Sequence, residues 1–489
     1  MQERIIVAGA GIAGLGAAMA LGREGREVLI LERDPPPPHQ SMEEAFYGWE
    51  RKGATQLRHS HVFLGRLFSL IRDRHPRLLS LLLENGVREF TLKDGLPEPL
   101  RETYRPQKGD QDMSILFSRR TTLELVMRHY AQDLPGVRFL SSAAVRGLIA
   151  DRKEGTLKIR GLRIEQDANP QEVLADVTID ASGRGTMMPI WLRELGCELH
   201  EEESPAGILY FTRHYRLKEG MEEPERGAIP FAGDLGYIKY GIFAADSRHF
   251  SLTLAVPEIE TELRKVILSG PVFDRIAALI PGAGIWTSAE RAEPVSKVYG
   301  MGNLVNSWRH YLKGTEPEVL NFFAIGDAAI RTNPLYGRGC SSGFVQAHIL
   351  SDVLDETADP IARARMHAER VNREIRPHFN SMTKQDSAAI RRAINAKDPN
   401  YRPRFRARMI KSLTDDAIGP ASRGDLTVFR ALMRPFHMLE SPDTALRNPE
   451  VIARLLWTWM KPKSWKQHLH APVLGPERAQ MHRLLGLAA

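Results

Sequence analysis

The sequence predicts a mixed α/β chain with a parallel-sheet domain at its amino terminus, an interleaved antiparallel sheet in its middle and a helical carboxyl-terminal region. Three observations carry this. A β-α-β pattern with glycines in its first turn opens the chain, period-two apolar alternation runs through Gly207 to Val256, and beyond Asp359 the pattern is helical and basic. At 489 residues the chain is too long for one ordinary core, so two or three domains in contact are expected, with room to bury a large ligand.

In order along the chain, Arg4 to Ala8 reads as a short buried strand, Ala13 to Gly22 as a small-residue helix, and Glu27 to Leu31 as a second strand. This unit implies a parallel pair with a right-handed crossover, and the Pro35 to Pro38 run ends it. Helical periodicity covers Val62 to Leu83 and Thr121 to Gln132, while Val137 to Leu140 and Leu174 to Ile179 read as buried strands. Ile208 to Tyr215 and His249 to Val256 alternate as antiparallel strands with one covered face do. Phe322 to Ile325 is a further strand, followed by a helix from Ser342 to Leu354. Tyr401 to Lys411, with arginines alternating about Pro403, reads as an exposed connection, and Asn448-Pro449-Glu450 caps a helix over Val451 to Met460.

Composition narrows the class. Hydrophobic residues at 43% and charged residues at 26% exclude a disordered or fibrous chain. No window approaches the ~18 apolar residues of a membrane span, and the amino terminus enters a strand at once, so a cytoplasmic location is expected. Cys197 and Cys340 make neither a disulfide framework nor a metal site. Within the net charge of +7, residues 361–489 carry 24 lysines and arginines against 11 acids. Solvated helix faces account for most such runs; an anionic substrate, an acidic partner or a lipid surface are the alternatives, and no nucleic-acid partner is expected.

Gly9-Ala10-Gly11-Ile12-Ala13-Gly14 lies between the first strand and its helix, the context that gives this pattern meaning. Gly9 permits the tight turn, Gly11 lets backbone approach a pyrophosphate, Gly14 lets helix and strand pack, and the helix start at Ile12 and Ala13 offers free N–H groups. Glu32, followed by Arg33, ends the second strand where a carboxylate can accept hydrogen bonds from a ribose. A Rossmann-like dinucleotide site follows.

Two later stretches go further: Thr178-Ile179-Asp180-Ala181-Ser182-Gly183-Arg184-Gly185, and Gly326-Asp327 opening a run through Asn333-Pro334-Leu335-Tyr336-Gly337-Arg338-Gly339. With the first motif they resemble the FAD-dependent monooxygenases of the para-hydroxybenzoate-hydroxylase class over about the first 355 residues. That resemblance implies an FAD-binding domain from residues 1–75, 115–190 and 315–358, a substrate domain from 76–114 and 191–314, and a helical region over 359–489. It further implies that Asp327, after Gly326, holds a ribityl hydroxyl, that Asp180 and Gly183 lie near the pyrophosphate, and that Pro334, Gly337, Gly339, Cys340 and Ser341 wrap the pyrimidine side of the flavin. Arg120 resembles the arginine that opens a helix beside FAD, with Arg119 as its competitor, and Val145 the strand residue that meets adenine. Arg51-Lys52-Gly53-Ala54-Thr55-Gln56-Leu57-Arg58-His59-Ser60-His61 is similar to the polyether-type olefin epoxidases such as the lasalocid epoxidase, which implies flavin or pyrophosphate contacts for Gln56, Arg58 and His59.

The reaction so implied is delivery of oxygen from a flavin hydroperoxide to a lipophilic substrate, by epoxidation or hydroxylation. Tyr210, Phe211, Tyr237, Tyr240 and Phe243 are candidate pocket walls, and no residue is identified as a catalytic acid or base. Electrons come from NAD(P)H, directly or through a separate flavin reductase, and the Asp180-Ala181-Ser182-Gly183 form resembles the enzymes fed by a reductase. The rival readings are a flavin-dependent reductase or desaturase of the geranylgeranyl-reductase kind and a halogenase. Trp457-Thr458-Trp459-Met460-Lys461-Pro462 is similar to the halogenase signature but lies in the wrong part of the chain, and reads better as an amphipathic helix packing two tryptophans. Val428, Phe429, Leu432, Met433 and Phe436, beside Arg430 and Arg434, are expected to cap the substrate entrance and to make a peripheral membrane contact.

Overall fold

The computed structural model describes residues 2–38, 41–153, 156–225, 230–470 and 472–487. Its central sheet is parallel, in the order Phe322–Ala324, Val177–Asp180, Glu3–Ala8, Arg26–Leu31, Val137–Leu140. Period-two geometry sends alternate side chains to opposite sides, and both sides are covered. Ile5, Val7, Val28 and Ile30 meet Leu15 of helix α1 (Ile12–Leu21), Leu123 and Met127 of α2 (Arg120–Gln132) and Leu350 of α3 (Gly339–Glu356). Ile6, Ala8 and Leu31 meet Leu148, Ile159 and Ile164 of an antiparallel meander, Ala143–Lys153, Thr156–Gln166 and Asn169–Leu174.

Leu174 to Ile179 is not one strand. Leu174 ends the meander half-exposed, and the buried strand begins at Val177. The periodicity from Val62 to Leu83 likewise divides into helices Gly65–Arg74 and Pro76–Glu84, because Pro76 pushes His75 out of the helical region, to φ −137° and ψ 55°. Leu78 and Leu82 of the second helix pack in the parallel-sheet core, although their sequence position suggested the middle domain.

The second sheet runs Ala232–Asp234, Lys239–Ala244, His249–Pro257, Ile208–Leu217, Ala292–Pro294, with Tyr299–Met301 also on Ile208–Leu217. Its alternation has a division of labour. Phe211, Tyr215, Phe250, Leu252 and Leu254 face helices Gly270–Leu279 and Pro281–Thr287, where Phe273, Ile276 and Trp286 complete a core. The opposite face is polar: Thr212 stands across from Thr253, and His214 from Ser251.

The carboxyl-terminal third wraps back onto the sheets. Helix α4 (Pro360–Lys397) lays Val371, Ile375, Phe379 and Met382 on the meander-side core. The arginine-rich stretch expected to be a connection is instead largely helix α5 (Phe405–Leu413), since Pro403 falls just before the first turn, where proline breaks nothing. Helices α6 (Leu426–Phe436) and α7 (Pro449–Met460) follow, and the Asn448 side chain caps α7 by accepting from Glu450 N–H at 2.9 Å.

Candidate active site

The first turn of the chain is a cradle. Gly9 has φ +104°, and a Cβ on Gly14 would lie 1.8 Å from its carbonyl oxygen, so neither position accepts a side chain. Gly11 is different: a Cβ there would meet nothing within 4 Å. Gly14 therefore supports the cradle from behind, while Gly9, Gly11, Ile12 and Ala13 line a cavity of about 630 Å³. Gly339 and Cys340, the start of α3, line the same cavity. Neither α1 nor α3 has a side-chain cap, so both leave first-turn N–H groups and the positive ends of their dipoles toward this space.

A buried chain of ion pairs runs along one wall. Glu32 accepts from Ala10 N–H at 3.0 Å and pairs with Arg51 at 2.5 Å. Arg51 also pairs with Glu124, which pairs with Arg120 at 2.5 Å, and Arg120 donates to the Cys340 thiol at 3.1 Å. Burial opposes the Arg51 charge, but Glu124, Glu32 and Asp34 outweigh it and its pKa is raised. Burial also pushes the Cys340 thiol up, which keeps it protonated and unreactive. From the sequence, Arg51 and Glu124 carried no role of their own: Arg51 opens the quoted 51–61 stretch, and Glu124 follows Arg120 and Leu123 in the helix-opening pattern. Arg120 rather than Arg119 lines the cavity, since Arg119 is held by Asp246 at 2.6 Å and Glu43 at 2.8 Å.

Asp327 lines the cavity with no hydrogen-bond partner among the described residues. Burial raises its pKa, against the opposing charges of Arg184, Arg120 and Arg309. Arg184, half-buried on the cavity wall, also makes no hydrogen bond or ion pair among the described residues. It lies inside the Asp180–Gly185 motif, yet nothing in the sequence pattern marked it. Glu32, Arg33, Gln56, His59, Val145, Gly183, Gly326, Pro334 and Gly337, all expected at a cofactor, also line the cavity.

Three expected contacts fall elsewhere. Asp180 is fully buried beneath the wall, accepting from Ser182 N–H at 3.0 Å, Ser182 Oγ at 2.5 Å and Thr186 Oγ1 at 2.6 Å, so it shapes the 181–186 loop instead of touching a ligand. Arg58 turns away, donating to the carbonyls of Phe46, Tyr47 and Trp49. Ser341, the third residue of α3, is fully buried and does not line the cavity. The loop after Arg58 is pinned by the polar face of the second sheet: His59 Nδ1 meets Thr212 Oγ1 at 3.0 Å, and Ser60 Oγ meets Ser251 and Thr253, each at 2.7 Å. Burial and then Arg184 push the His59 pKa down to about 4, so this imidazole stays neutral near pH 7.

The far end of the cavity is apolar, walled by Phe90, Leu92, Phe117 and Phe243, with Phe429, Met433 and Phe436 supplied by α6. Of the five aromatics expected there, Phe243 alone takes part. Phe211, Tyr237 and Tyr240 are spent in the core behind the sheet, and Tyr210 bonds Asn333. That bond belongs to a second buried cluster. Asp386 of α4 accepts from Asn306 at 2.8 Å, Asn333 at 2.9 Å and Tyr336 at 2.9 Å, and so holds the 333–337 loop against the cavity.

Residues 4–185 match the model of the family described as FAD dependent oxidoreductase. The chain is thus similar to flavin-dependent oxidoreductases. Protein Rv3254 of Mycobacterium tuberculosis is 23% identical over 366 residues, 71% of this chain and 72% of that protein. Kynurenine 3-monooxygenase of Salinispora arenicola is 26% identical over 415 residues, 79% of each. The structure of OxyS anhydrotetracycline hydroxylase from Streptomyces rimosus shares the fold, with a TM-score of 0.54 at 18% identity over 90% of this chain and 76% of that one. The geometry fits FAD: an open glycine cradle and two uncapped helix starts suit a pyrophosphate, and the unpartnered Asp327 carboxylate suits a polyol. No described helix is long and apolar enough to cross a membrane.

Proposed function

We propose that the chain is an FAD-dependent monooxygenase that delivers oxygen to a lipophilic organic substrate, by epoxidation or hydroxylation. The observation that carries this is one cavity that joins a polar, glycine-lined part to an apolar part. The likeness to a kynurenine 3-monooxygenase and to a hydroxylase supports the same reading. FAD, when bound and reduced, supplies the activation of molecular oxygen. The protein's own work is positioning and exclusion of water. Arg120 and Arg184 put positive charge on the cofactor end, while Phe429, Met433 and Phe436 close the apolar end. His437 lines that end too, but its Nδ1 accepts from Gly65 N–H at 3.0 Å and burial lowers its pKa to about 4, so it neither donates nor takes a proton near pH 7. Oxygen transfer to an alkene requires no such group.

The halogenase reading loses ground, because Trp457 is exposed, Trp459 binds Ser412, and no lysine lines the cavity among the described residues. The test is to mix anaerobically reduced holoprotein with ¹⁸O₂ and candidate polyenes. The product should gain one ¹⁸O atom; saturation of a double bond without oxygen would replace this reading by the reductase one. Electrons are proposed to arrive from NAD(P)H through a separate flavin reductase. Anaerobic stopped-flow mixing with NADH or NADPH should then leave the 450 nm flavin band unbleached on the turnover timescale.

A further inference from the structure

Helix α5 buries none of its nine residues. Isolated helices that short are not stable in water, and most helical stability in proteins comes from packing of an apolar face. Here that face is bare: Phe405 is 68% exposed and Ile410 64%, with Met409 beside them. The same is true at the end of α7 and the turn after it, where Trp457 is 63%, Met460 72% and Trp465 70% exposed. These are five of the six most exposed large apolar side chains described, and the two groups adjoin. Trp459 Nε1 donates to Ser412 Oγ at 3.1 Å, joining the end of α7 to the end of α5, and Lys466 donates to Thr458 O at 3.1 Å, tying the following turn to α7.

Cations surround this surface. Arg404, Arg406 and Arg408 are exposed and make no ion pair among the described residues, and Lys461 stands 5.9 Å from the Trp457 ring. We infer that α5 and the 457–465 segment form a docking surface for an anionic lipid bilayer, with the tryptophans, Phe405 and Met460 in the interface and the arginines against the headgroups. Tryptophan and arginine suit that boundary, each with an apolar body and a polar tip. A second copy is the weaker occupant, because a two-fold contact sets the patch against itself and brings the unpaired arginines together. The surface is not the one expected from the sequence: Val428 and Phe429 of α6 are buried, and Phe429 and Met433 face the cavity. Instead α6 packs on α7 through Val428, Val451 and Leu455, so the docked face stands one helix from the apolar end of the cavity. Delivery of a lipophilic substrate from the bilayer rests on the proposed function; the docking does not.

The test is flotation of the FAD-loaded full chain with vesicles of phosphatidylcholine, with or without phosphatidylglycerol. Binding should require phosphatidylglycerol, fall as salt rises, and shift tryptophan emission to the blue. The triple variant Arg404→Ser, Arg406→Ser, Arg408→Ser should lose on the order of a hundredfold in partitioning, at about fivefold per charge. The variant Trp457→Ser, Met460→Ser, Trp465→Ser should lose the blue shift. Both should keep wild-type FAD content, which checks folding and is independent of vesicle binding. No flotation with anionic vesicles overturns the inference, as does wild-type partitioning by both variants. Self-association in sedimentation that the tryptophan variant abolishes, without vesicle binding, would assign the surface to a second copy instead.

Discussion

Replacing Gly11 by valine and, separately, Gly14 by alanine sets two glycines three positions apart, with opposite duties, against each other. At Gly11, φ is −81° and ψ −174°, extended backbone that a β-branched residue adopts freely, and the space a Cβ would enter is empty. The folded apoprotein should therefore lose only the helix-cap preference of glycine over valine, about 1 kcal/mol or less. The cost appears on adding FAD. A side chain over the cradle keeps a pyrophosphate from the α1 N–H groups, and losing two hydrogen bonds to a charged group, each worth about 1.5–3 kcal/mol, weakens binding by roughly 10² to 10⁴-fold. At Gly14 the methyl would stand 1.8 Å from Gly9 O, so helix and strand must separate by more than an ångström, an overpacking that costs at least about 1–3 kcal/mol without any ligand. Urea unfolding of the two apoproteins and FAD titration by flavin fluorescence read these terms separately. Wild-type FAD affinity in Gly11→Val would refute the cradle, and an undisturbed unfolding midpoint in Gly14→Ala would refute the packing argument.

Arg51→Met strands Glu32 and Glu124 without their shared cation, and removing one partner of a buried ion pair costs about 3–5 kcal/mol; an unfolding midpoint close to wild type would show that the ion-pair chain contributes nothing. Asp386→Asn takes the charge from three hydrogen bonds and loosens the 333–337 loop, so stability should fall by about 3 kcal/mol and FAD should dissociate faster, as followed by recovery of free-flavin fluorescence. An unchanged off-rate would confine Asp386 to the scaffold. Acid should unfold the protein early: burial lowers His75, His348, His367, His378 and His437 to about 4, below the unfolded value near 6.5. Their depressed pKa values favour the fold above pH ~6.5 and that stability drains as pH falls toward ~4, by about 1.4 kcal/mol per pH unit for each titrating histidine. Thermal scans should show a melting temperature level above pH 7 and dropping steeply below 6.5; a flat profile down to pH 5 would contradict the burial of these rings.

What the sequence made legible was local. The glycine cradle, the strand before it and Glu32 after it lie within one short β-α-β unit, so backbone geometry and spacing determine their placement. Asp327 and the start of α3 were legible for the same reason. Side-chain direction was not. Asp180, Arg58 and Ser341 sit in the right segments, but Asp180 and Arg58 turn to hydroxyl and backbone partners that sequence spacing does not reveal, and the Ser341 hydroxyl is buried without a hydrogen-bond partner among the described residues. Contacts between segments distant in the sequence were hidden altogether: α6 closes the cavity from position 429, and Asp386 holds a loop 53 residues before it. The aromatics of the second sheet misled because alternation tells that two faces differ, not which of them meets the ligand.

The cavity is one volume, with Gly11 at one end and Phe429 at the other. Two ligands sharing one enclosure are each other's surroundings, so their binding equilibria are linked. Whatever factor a bound substrate adds to FAD affinity, FAD must add to substrate affinity. A substrate screen on apoprotein would measure only half of a binding site, and its weak affinities would understate those of the loaded protein by that factor. Conversely, a tight lipophilic ligand should slow the escape of FAD even though it touches none of the glycines that hold it.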